Sequence, residues 1–582
     1  MRCCIAEKPS VAESIAKVLG ARTRKDGYYE GNGYWVTWTF GHLCQLKAPD
    51  AYNPQWKRWD IDVLPMIPSK YEVELLADPG IKKQFKVIKS LFSKATEIIN
   101  CGDAGQEGEL IQRWVMQLAG VKCPVKRLWI SSLTEESIRQ GFRHLQPQSD
   151  YDALFEAGLA RAEGDRLLGL NATRLYTLKY GRDHQVLSIG RVQTPTLAMI
   201  VARDNEIEHF QSHPYWVLTT RYRDTLFTCT QGRFDSEEKA RRILTLARQG
   251  LLTIKDVQQN RGSELPPQLY DLNALQVEAN KKFGMTADVT LKTIQGLYEK
   301  KLTTYPRVDT RYLTDDLYAK CPAILACLTN LCAGARPLVG RTLIKSNRVF
   351  DNSRVSDHHA IIPTGDTRNI TQLNDQEFKV YGLIVRRFCA VFYPACEYAQ
   401  TTVTAQVAPQ HRIHQGAGGG SLTFCASGRT ILQQGWRAVY GTDLPDSESG
   451  EEETVSLPVF QIGESGFHTP ALQQKQTTPP KRYTDASLLQ KMESINIGRP
   501  SSRAGIIETL LKRDYVRREK RNLVSTPTGR NLMATIRSEL LKSPELTAQW
   551  EEKLAQIEHG KYSLSEFMNE LQQQLEVIVR DA

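Results

Sequence analysis

The 12 cysteines of this 582-residue chain form no CxxC…CxxC pattern, so a zinc ribbon has no ligands here. Cys3-Cys4 is the one close pair, and thiols scattered in this way fit a reducing compartment better than a disulfide framework. No apolar run approaches the roughly 20 residues that a membrane span needs. Glu7 and Lys8 arrive before any hydrophobic region could develop, so a secretory signal is not expected, and the protein reads as cytoplasmic with no membrane partner. No GxxxxGK[ST] loop occurs, which removes the P-loop route to nucleotide hydrolysis. No repeat of fixed period is visible. What is present is ordinary for a globular protein: 41% apolar and 24% charged residues. Lys and Arg number 75 against 65 Asp and Glu, a mild net charge of +10 that favours a polyanionic partner without identifying one. At roughly 150 residues per domain the length allows about four domains.

Residues 1–6 (MRCCIA) predict a short buried strand, and Pro9 then suits the first turn of a helix that places Val11, Ile15, Val18 and Leu19 on one side. Residues 34–40 (YWVTWTF) predict a second strand ending in Gly41-His42, and residues 97–101 (EIINC) a third. That third strand runs through Gly102-Asp103 into a helix from about Glu107, with Leu110, Ile111, Trp114, Val115 and Leu118 on its apolar face. Strands alternating with helices over the first 150 residues predict an α/β domain with a mostly parallel sheet. Residues 152–205 read as helical with an interruption near 181–190; 215–230 and 401–407 alternate like strands; 269–328 between them is mainly helical. This nesting predicts one domain inserted into another. Residues 415–421 (QGAGGGS) read as a flexible loop and 443–453 (DLPDSESGEEE) as a solvated acidic turn, after which helices return and end in an amphipathic stretch over 564–579.

Glu7 follows the first predicted strand and Asp103 the third, and open α/β sheets bind ligands beyond the carboxyl ends of parallel strands. If those strands are neighbours, Glu7, Asp103 and Glu107 converge on one crevice, where clustered carboxylates suit Mg²⁺, a cation that keeps several waters and takes one or two protein ligands. Taken singly, each acid reads more readily as a surface or capping residue than as a ligand. The constellation acquires meaning from its surroundings: residues 5–10 (IAEKPS) together with 103–109 (DAGQEGE) resemble the Toprim domain of type IA DNA topoisomerases. That resemblance implies a lone glutamate and a DxDxE run that bind Mg²⁺ and handle DNA phosphates. The chain departs from it at Gly105, in place of the middle Asp, and at Gln106, in place of Arg; Gly cannot ligate, so two carboxylates would have to be supplemented by water or by Glu109.

Residues 303–312 (TTYPRVDTRY) place Pro306 after Tyr305, which forces Tyr305 away from helical geometry. Arg307, two residues on, can grip a phosphate bidentately. A phenol with an ordinary pKa near ~10 needs a cationic neighbourhood and a route for its proton before it attacks at neutral pH. Alone, a Tyr-Pro-Arg run is a packed loop. This decapeptide, however, resembles the active-site segment of the same family, which implies that Tyr305 becomes a 5′-phosphotyrosine. By the same resemblance Arg307 stabilises charge on the scissile phosphate, Glu7 is the general acid on the leaving 3′-oxygen, and Lys8 holds the phosphate. Residues 356–364 (SDHHAIIPT) are similar to the family segment whose histidine neighbours the tyrosine, which makes His358 the implied phosphate contact.

Residues 160–174 (ARAEGDRLLGLNATR), 188–196 (SIGRVQTPT) and 497–504 (IGRPSSRA) resemble the segments that guide single-stranded DNA into the cleft. Arg161, Asp165, Arg174, Arg191, Gln193, Thr194, Arg499 and Ser501 match the motif positions, and they are the residue types that backbone tracking without base readout requires. Asp165 and Thr194 read equally as helix-end or turn residues. Ser502-Arg503 stands where the family often has Thr-Tyr. Residues 479–483 (PPKRY) match the strand-exchange region between domains.

The resemblance runs from Arg2 to about Thr528. It implies a multidomain α/β plus α and β architecture, a Toprim α/β domain within a four-domain toroidal type IA topoisomerase core. The implied divisions are a Toprim domain over 1–150, a mainly helical DNA-channel domain over 151–212 and 478–582, a β-rich arch or hinge over 213–262 and 372–477, and a helical domain carrying the tyrosine over 263–371. The implied function is ATP-independent cleavage, passage and religation of one DNA strand with Mg²⁺ as cofactor, relaxing negative supercoils and decatenating DNA. The branch resembled is topoisomerase III, on IAEKPS, DHHAIIPT and the missing zinc ribbons. The expected partner is DNA, single-stranded in part; the enzyme is expected to act as a monomer near the nucleoid or a plasmid, with a helicase partner left open. Two rival readings are another Toprim enzyme, a primase or nuclease, and a single-stranded DNA-binding protein whose metal site has decayed at Gly105.

Overall fold

A computed structural model describes residues 1–131, 133–181, 186–355, 358–408, 421–441 and 456–581. Residues 415–420 of the predicted glycine-rich loop and all of the predicted acidic turn lie outside the described residues, as do 182–185 within the predicted helix interruption.

The N-terminal region is built on β1 (Arg2–Ala6), α1 (Pro9–Leu19), β2 (Thr23–Lys25), β3 (Tyr28–Gly31), β4 (Tyr34–Trp38), β5 (Cys44–Leu46), β6 (Val73–Leu75), α2 (Pro79–Phe92), β7 (Glu97–Cys101), α3 (Gln106–Ala119), β8 (Val125–Arg127), α4 (Glu135–Arg143) and β9 (Gln146–Pro147). Seven of these strands form one sheet in the order β2-β3-β4-β1-β7-β8-β9. Its centre is parallel: β1 pairs with β4 on one side and β7 on the other, and β7 with β8. Antiparallel β2-β3-β4 and β8-β9 pairings finish the edges. β1 is almost wholly apolar because helices cover both faces of the sheet. α1 begins with Pro9 in the first turn, where its missing N–H costs nothing, and buries Val11, Ala12, Ile15 and Ala16. On the opposite face, Phe85, Ile88 and Leu91 of α2 and Leu110, Trp114 and Val115 of α3 share a core with Cys3, Ile5 and Ile98.

Two long helices follow, α5 (Asp152–Tyr180) and α6 (Gln193–Glu208), and then β10 (Pro214–Tyr222), β11 (Thr225–Phe234), α7 (Glu237–Arg248) and β12 (Leu252–Glu264). The chain next leaves this sheet for α8 (Leu272–Phe283), α9 (Ala287–Glu299), α10 (Cys321–Cys327) and α11 (Asp375–Ala390). It returns with β13 (Cys396–Val407), β14 (Leu422–Gln433), β15 (Ser465–Gly466) and β16 (Thr469–Gln476). The second seven-stranded sheet, β15-β12-β13-β14-β11-β10-β16, is antiparallel throughout and draws its strands from both sides of the helical segment. The chain ends in α12 (Asp485–Ser494), α13 (Pro500–Lys512), the hairpin β17 (Val516–Glu519) and β18 (Asn522–Ser525), α14 (Pro527–Thr535), α15 (Glu539–Lys542), α16 (Pro544–Glu558) and α17 (Leu564–Asp581).

The packing decides what meets at the site. One continuous core joins the α1 face of the first sheet, through Ala6, Ile15 and Val36, to Leu275, Leu297, Tyr305 and Phe388 of the inserted helical segment. A second core unites α5 and α6 with the C-terminal helices through Leu168, Leu197, Leu489, Leu554 and Phe567. Contacts far apart in sequence therefore place the tyrosine segment against the strand ends of the N-terminal sheet.

Candidate active site

The parallel register sets the end of β1 beside the end of β7, Ala6 opposite Cys101, so Glu7 and Asp103 leave neighbouring strands at the same edge. The turn between β7 and α3 depends on two glycines. Gly105 has φ +147° and ψ 170°, a backbone region essentially reserved for glycine. At Gly108 a Cβ would lie 2.0 Å from the Asp103 carbonyl oxygen, so only glycine lets the turn fold onto the helix. Arg127, fully buried, donates from Nη1 to the carbonyls of Gly102 (2.7 Å) and Leu128 (2.9 Å), and from Nη2 to that of Asp103 (3.0 Å).

Glu7 is buried and its Oε2 has no hydrogen-bond partner. Burial first, and the Asp103 carboxylate second, raise its pKa to about 7, against the pull of Arg307 and Lys8. Burial also raises the Asp103 pKa, with Lys8, Arg307 and Arg127 opposing. Glu107 sits on the rim, its side chain 56% exposed. His42 Nε2 lies 3.1 Å from its Oε2, and this hydrogen bond holds the Glu107 pKa down. Glu109 is not available as a further ligand. It is fully buried and paired with Arg127 (2.9 Å) and Arg113 (2.8 Å), and Gln148 donates to it as well. The expectation that Glu109 could supplement the acids fails because two guanidinium groups already neutralise it.

Tyr305 packs against this edge. Its backbone N–H donates to the Ser131 carbonyl (3.0 Å), its ring stacks on His358 at 4.3 Å between centroids, and the Tyr298 ring meets it edge-on at 5.5 Å. The ring is 7% exposed. Burial, then the Asp103 carboxylate, hold the phenol pKa well above its ordinary value, with Arg307 the opposing charge. The cationic neighbourhood expected of a nucleophile is thus reduced in this state to one arginine. Arg307 is exposed and makes no ion pair among the described residues. It shares a cavity of about 710 Å³ with Glu7, Lys8, His42, Glu107 and Ser501. Lys8 is held across this cavity by Glu299 of α9, at 3.0 Å.

His358 stands where the sequence motif puts it, beside the tyrosine, with its ring turned to the backbone of the acidic turn. Its Nε2 contacts the Ala104 carbonyl, its Nδ1 has no partner, and burial pushes its pKa down to about 3. A neutral ring whose N–H is engaged by Ala104 is a clamp between the tyrosine segment and the acidic turn. Ser356 and Asp357 of that motif lie outside the described residues.

The arginines expected to track DNA are engaged by acids of α16. Arg161 makes a bidentate pair with Glu551 (2.8 and 2.7 Å), and Arg191 pairs with both Glu551 (2.7 Å) and Asp165 (2.7 Å). Arg499 and Gln106 share Glu558, at 3.0 and 2.6 Å. Arg174 is buried and donates to the Trp56 carbonyl at 2.7 Å. Gln193 accepts from Arg513 (2.6 Å), and Thr194 accepts from the Gly190 N–H (3.1 Å), the turn role its residue type also allowed. Sequence reasoning missed Arg127, Glu299, Glu551 and Glu558. His42 alone carried a signal, its position at the end of a predicted strand.

Residues 2–133 match the Toprim domain and residues 149–569 the DNA topoisomerase family. The chain belongs to the type IA DNA topoisomerases. Among its relatives it is 37% identical over 611 residues to DNA topoisomerase 3 of Bacillus anthracis, covering 99% of this chain and 81% of that protein. It is 36% identical over 600 residues to DNA topoisomerase 3 of Bacillus subtilis (strain 168), covering 97% and 80%. Full-length topoisomerase I from Thermotoga maritima has the same fold, with a TM-score of 0.77 at 23% identity over 99% of this chain and 90% of that one. Among the described residues no helix is long and apolar enough to cross a membrane.

The turn and the α16 acids can each be tested by substitution. Gly105→Asp, which restores the family's usual residue, should lower stability by about 1–3 kcal/mol through backbone strain; an unchanged melting temperature would contradict the strained turn. For Glu551, burial alone would raise the pKa, but hydrogen bonds and charges from Arg161 and Arg191 hold it far below the ordinary range. A depressed carboxylate stabilises the fold above its unfolded pKa of about 4.3, and that stability is lost as pH falls further. Glu551→Gln should therefore cost about 3–5 kcal/mol near neutrality. Thermal unfolding should show the gap to the parent protein narrowing below pH ~4.

Proposed function

We propose that Tyr305 is the nucleophile of this topoisomerase and that the chain works as a topoisomerase III. The supporting observation is that one continuous core sets Tyr305 against the strand ends that bear Glu7 and Asp103, near enough for both carboxylates to act on the phenol. The Tyr305 oxygen attacks a phosphodiester of single-stranded DNA, the phosphorus–O3′ bond breaks, and the 5′-phosphate remains on the tyrosine. The phenolic proton leaves to water, and Glu7, whose pKa near 7 keeps a proton available, protonates the departing 3′-oxygen. Arg307, free on the cavity wall, stabilises the phosphate charge, and Lys8 joins it after exchanging Glu299 for the phosphate. The phosphotyrosine keeps the energy of the bond, so religation reverses the step without ATP.

Mg²⁺ is the cofactor this site fits. Among the described residues no three His, Cys, Asp or Glu side chains form a ready metal site. The fit rests instead on the partnerless Glu7 oxygen and on the mutual repulsion of Glu7 and Asp103, both of which a hydrated cation would relieve. Asp103 and Glu107 would hold it, with Glu7 joining them once its proton has been given up, and it would supply positive charge to the phosphate. The segments expected from sequence serve as the working division, except that α11 packs in the core of the helical insert and is moved to it: 1–150 Toprim, 151–212 with 478–582 the DNA channel, 213–262 with 391–477 the hinge, 263–390 the segment that lifts to pass a strand. DNA with single-stranded regions, negatively supercoiled or catenated, is the substrate, and the protein acts as a monomer in the cytoplasm.

An internally labelled single-stranded oligonucleotide tests this. The parent protein trapped with denaturant should carry label on Tyr305, and Tyr305→Phe should carry none; strand cleavage retained by the phenylalanine variant would refute the assignment and favour a Toprim nuclease. Supercoil removal should stop on chelation and return with Mg²⁺.

A further inference from the structure

The outer face of the Toprim domain carries a positive charge that the reaction does not use. α2 contains Lys82, Lys83, Lys86 and Lys89 and no Asp or Glu between Pro79 and Phe92. Its buried residues, Gln84, Phe85, Ile88, Leu91 and Phe92, occupy the opposite side, so the four lysines share one exposed face. The β2-β3 hairpin is fastened to this helix: Gln84 donates to the Gly27 carbonyl at 3.0 Å, and Lys83 pairs with Asp26 at 2.8 Å. The hairpin adds exposed Lys25, whose cross-strand partner Tyr28 packs in the core beneath α2; Arg22 and Arg24 alternate to the other side of the sheet, that of Tyr29 and α1. Of these five cations only Lys83 has an ion-pair partner among the described residues. Of the other nearby acids, Asp78 caps α2 by accepting from the Ile81 N–H at 2.9 Å, and Glu30 accepts from the Trp35 indole at 3.0 Å. In a chain whose charges nearly balance, 75 against 65, an unneutralised cluster of this kind is a local departure.

Its position relates it to the active site. Gln84, near the start of α2, donates to the Trp38 carbonyl at the carboxyl end of β4, while Thr96, beyond its end, donates to Met1 at the start of β1. The helix therefore runs antiparallel to the parallel strands, and Lys82 lies at the edge that bears Glu7. Two residues past Trp38, Phe40 begins the Phe40-Gly41-His42 wall of the active-site cavity. Lys82, Lys86 and Lys89 then extend away from that rim over about 10 Å of helix.

We propose that this face binds the phosphate backbone of double-stranded DNA flanking the single-stranded segment in the cleft. Duplex DNA presents one phosphate per ~1.7 Å of axis, which a row of mobile lysines matches without sequence preference. A single strand is held differently, by aromatic rings interleaved with charge, and α2 offers no exposed aromatic ring.

The test compares the parent protein with a Lys82→Gln, Lys86→Gln, Lys89→Gln variant, and with a second, hairpin variant carrying Lys25→Gln. Binding of a hairpin-capped duplex, which has no free ends, is measured by fluorescence anisotropy over a range of salt, beside binding and cleavage of oligo(dT). The lysine variant should lose about 2 to 3 from the slope of log affinity against log salt and about tenfold in duplex affinity at low salt. The hairpin variant should move in the same direction, and oligo(dT) binding and cleavage should match the parent in both. Duplex binding unchanged in both variants overturns the proposal, as does an equal loss of duplex and oligo(dT) binding. Displacement of the duplex by polyglutamate at equal charge concentration also overturns it, since the face would then select any polyanion.

Discussion

The guanidinium of Arg127 has no exposed surface, and the geometry of the acidic edge hangs on it. Burying such a group costs several kcal/mol unless its donors are met and its charge is paired. Glu109 supplies the charge, and the carbonyls of Gly102, Asp103 and Leu128 accept its hydrogen bonds. The Gly102 and Asp103 carbonyls belong to the turn that follows β7, so the same guanidinium that would otherwise be a liability fixes the backbone from which Asp103 projects. Its influence continues through aromatic contacts. Arg127 lies 4.9 Å from the Trp129 ring, Trp129 stacks near His358 at 6.2 Å, and His358 stacks on Tyr305 at 4.3 Å. One buried cation thus orients the acidic turn and, through two rings, the phenol that faces it.

The electrostatics of this closed arrangement are asymmetric. The same burial that raises the Glu7 pKa to about 7 raises that of Tyr305. A proton held by Glu7 suits a group that must give one up; a proton held by Tyr305 opposes a group that must attack. The phenol therefore needs more positive charge than Arg307 alone provides, and the cations able to supply it are committed elsewhere, Lys8 to Glu299 and Arg127 to Glu109. A phosphate entering the cavity draws Lys8 away from a carboxylate of like charge, which changes the partner without stranding a buried ion. On the proposed mechanism Tyr305 stays protonated until substrate reorganises the charges around it, a state that suits an enzyme whose covalent intermediate is a broken DNA strand.

Much of the fold was legible because the relevant signals are local. Residues 97–101 predicted a strand and β7 has those bounds; Pro9 predicted a helix start and α1 begins there. The acids and the tyrosine were legible as motifs, since each is a short run with an unusual combination of residues. What remained hidden depends on partners hundreds of residues away. Nothing near Glu551 marks it as the counter-ion of Arg161 and Arg191, 390 and 360 residues distant. Arg127 looked like any basic residue after a short strand, and the helix-end position of Glu299 gave no hint of Lys8. Glu109 was misread for the same reason: its sequence neighbours are ligand candidates, while its spatial neighbours are arginines.

The engagement of the channel arginines bears on how DNA could be gripped at all. If Arg161, Arg191 and Arg499 hold a strand as proposed, they must first part from Glu551 and Glu558, because Arg161 is bidentate to Glu551, Arg191 bridges Glu551 and Asp165, and Arg499 Nη2 is held by Glu558. Free guanidinium groups in that interior would be expensive in the absence of DNA, and the α16 carboxylates keep them paired and oriented. Entry of a phosphate then exchanges one oxyanion for another, so the net gain per contact is modest and binding strength must come from several contacts made together. A strand long enough to reach Arg161, Arg191, Arg499 and Arg307 at once satisfies that condition, and a short or misplaced one does not. On that reading, carboxylates already in place would make the channel selective for an extended strand threaded toward Tyr305, without any contact that reads a base.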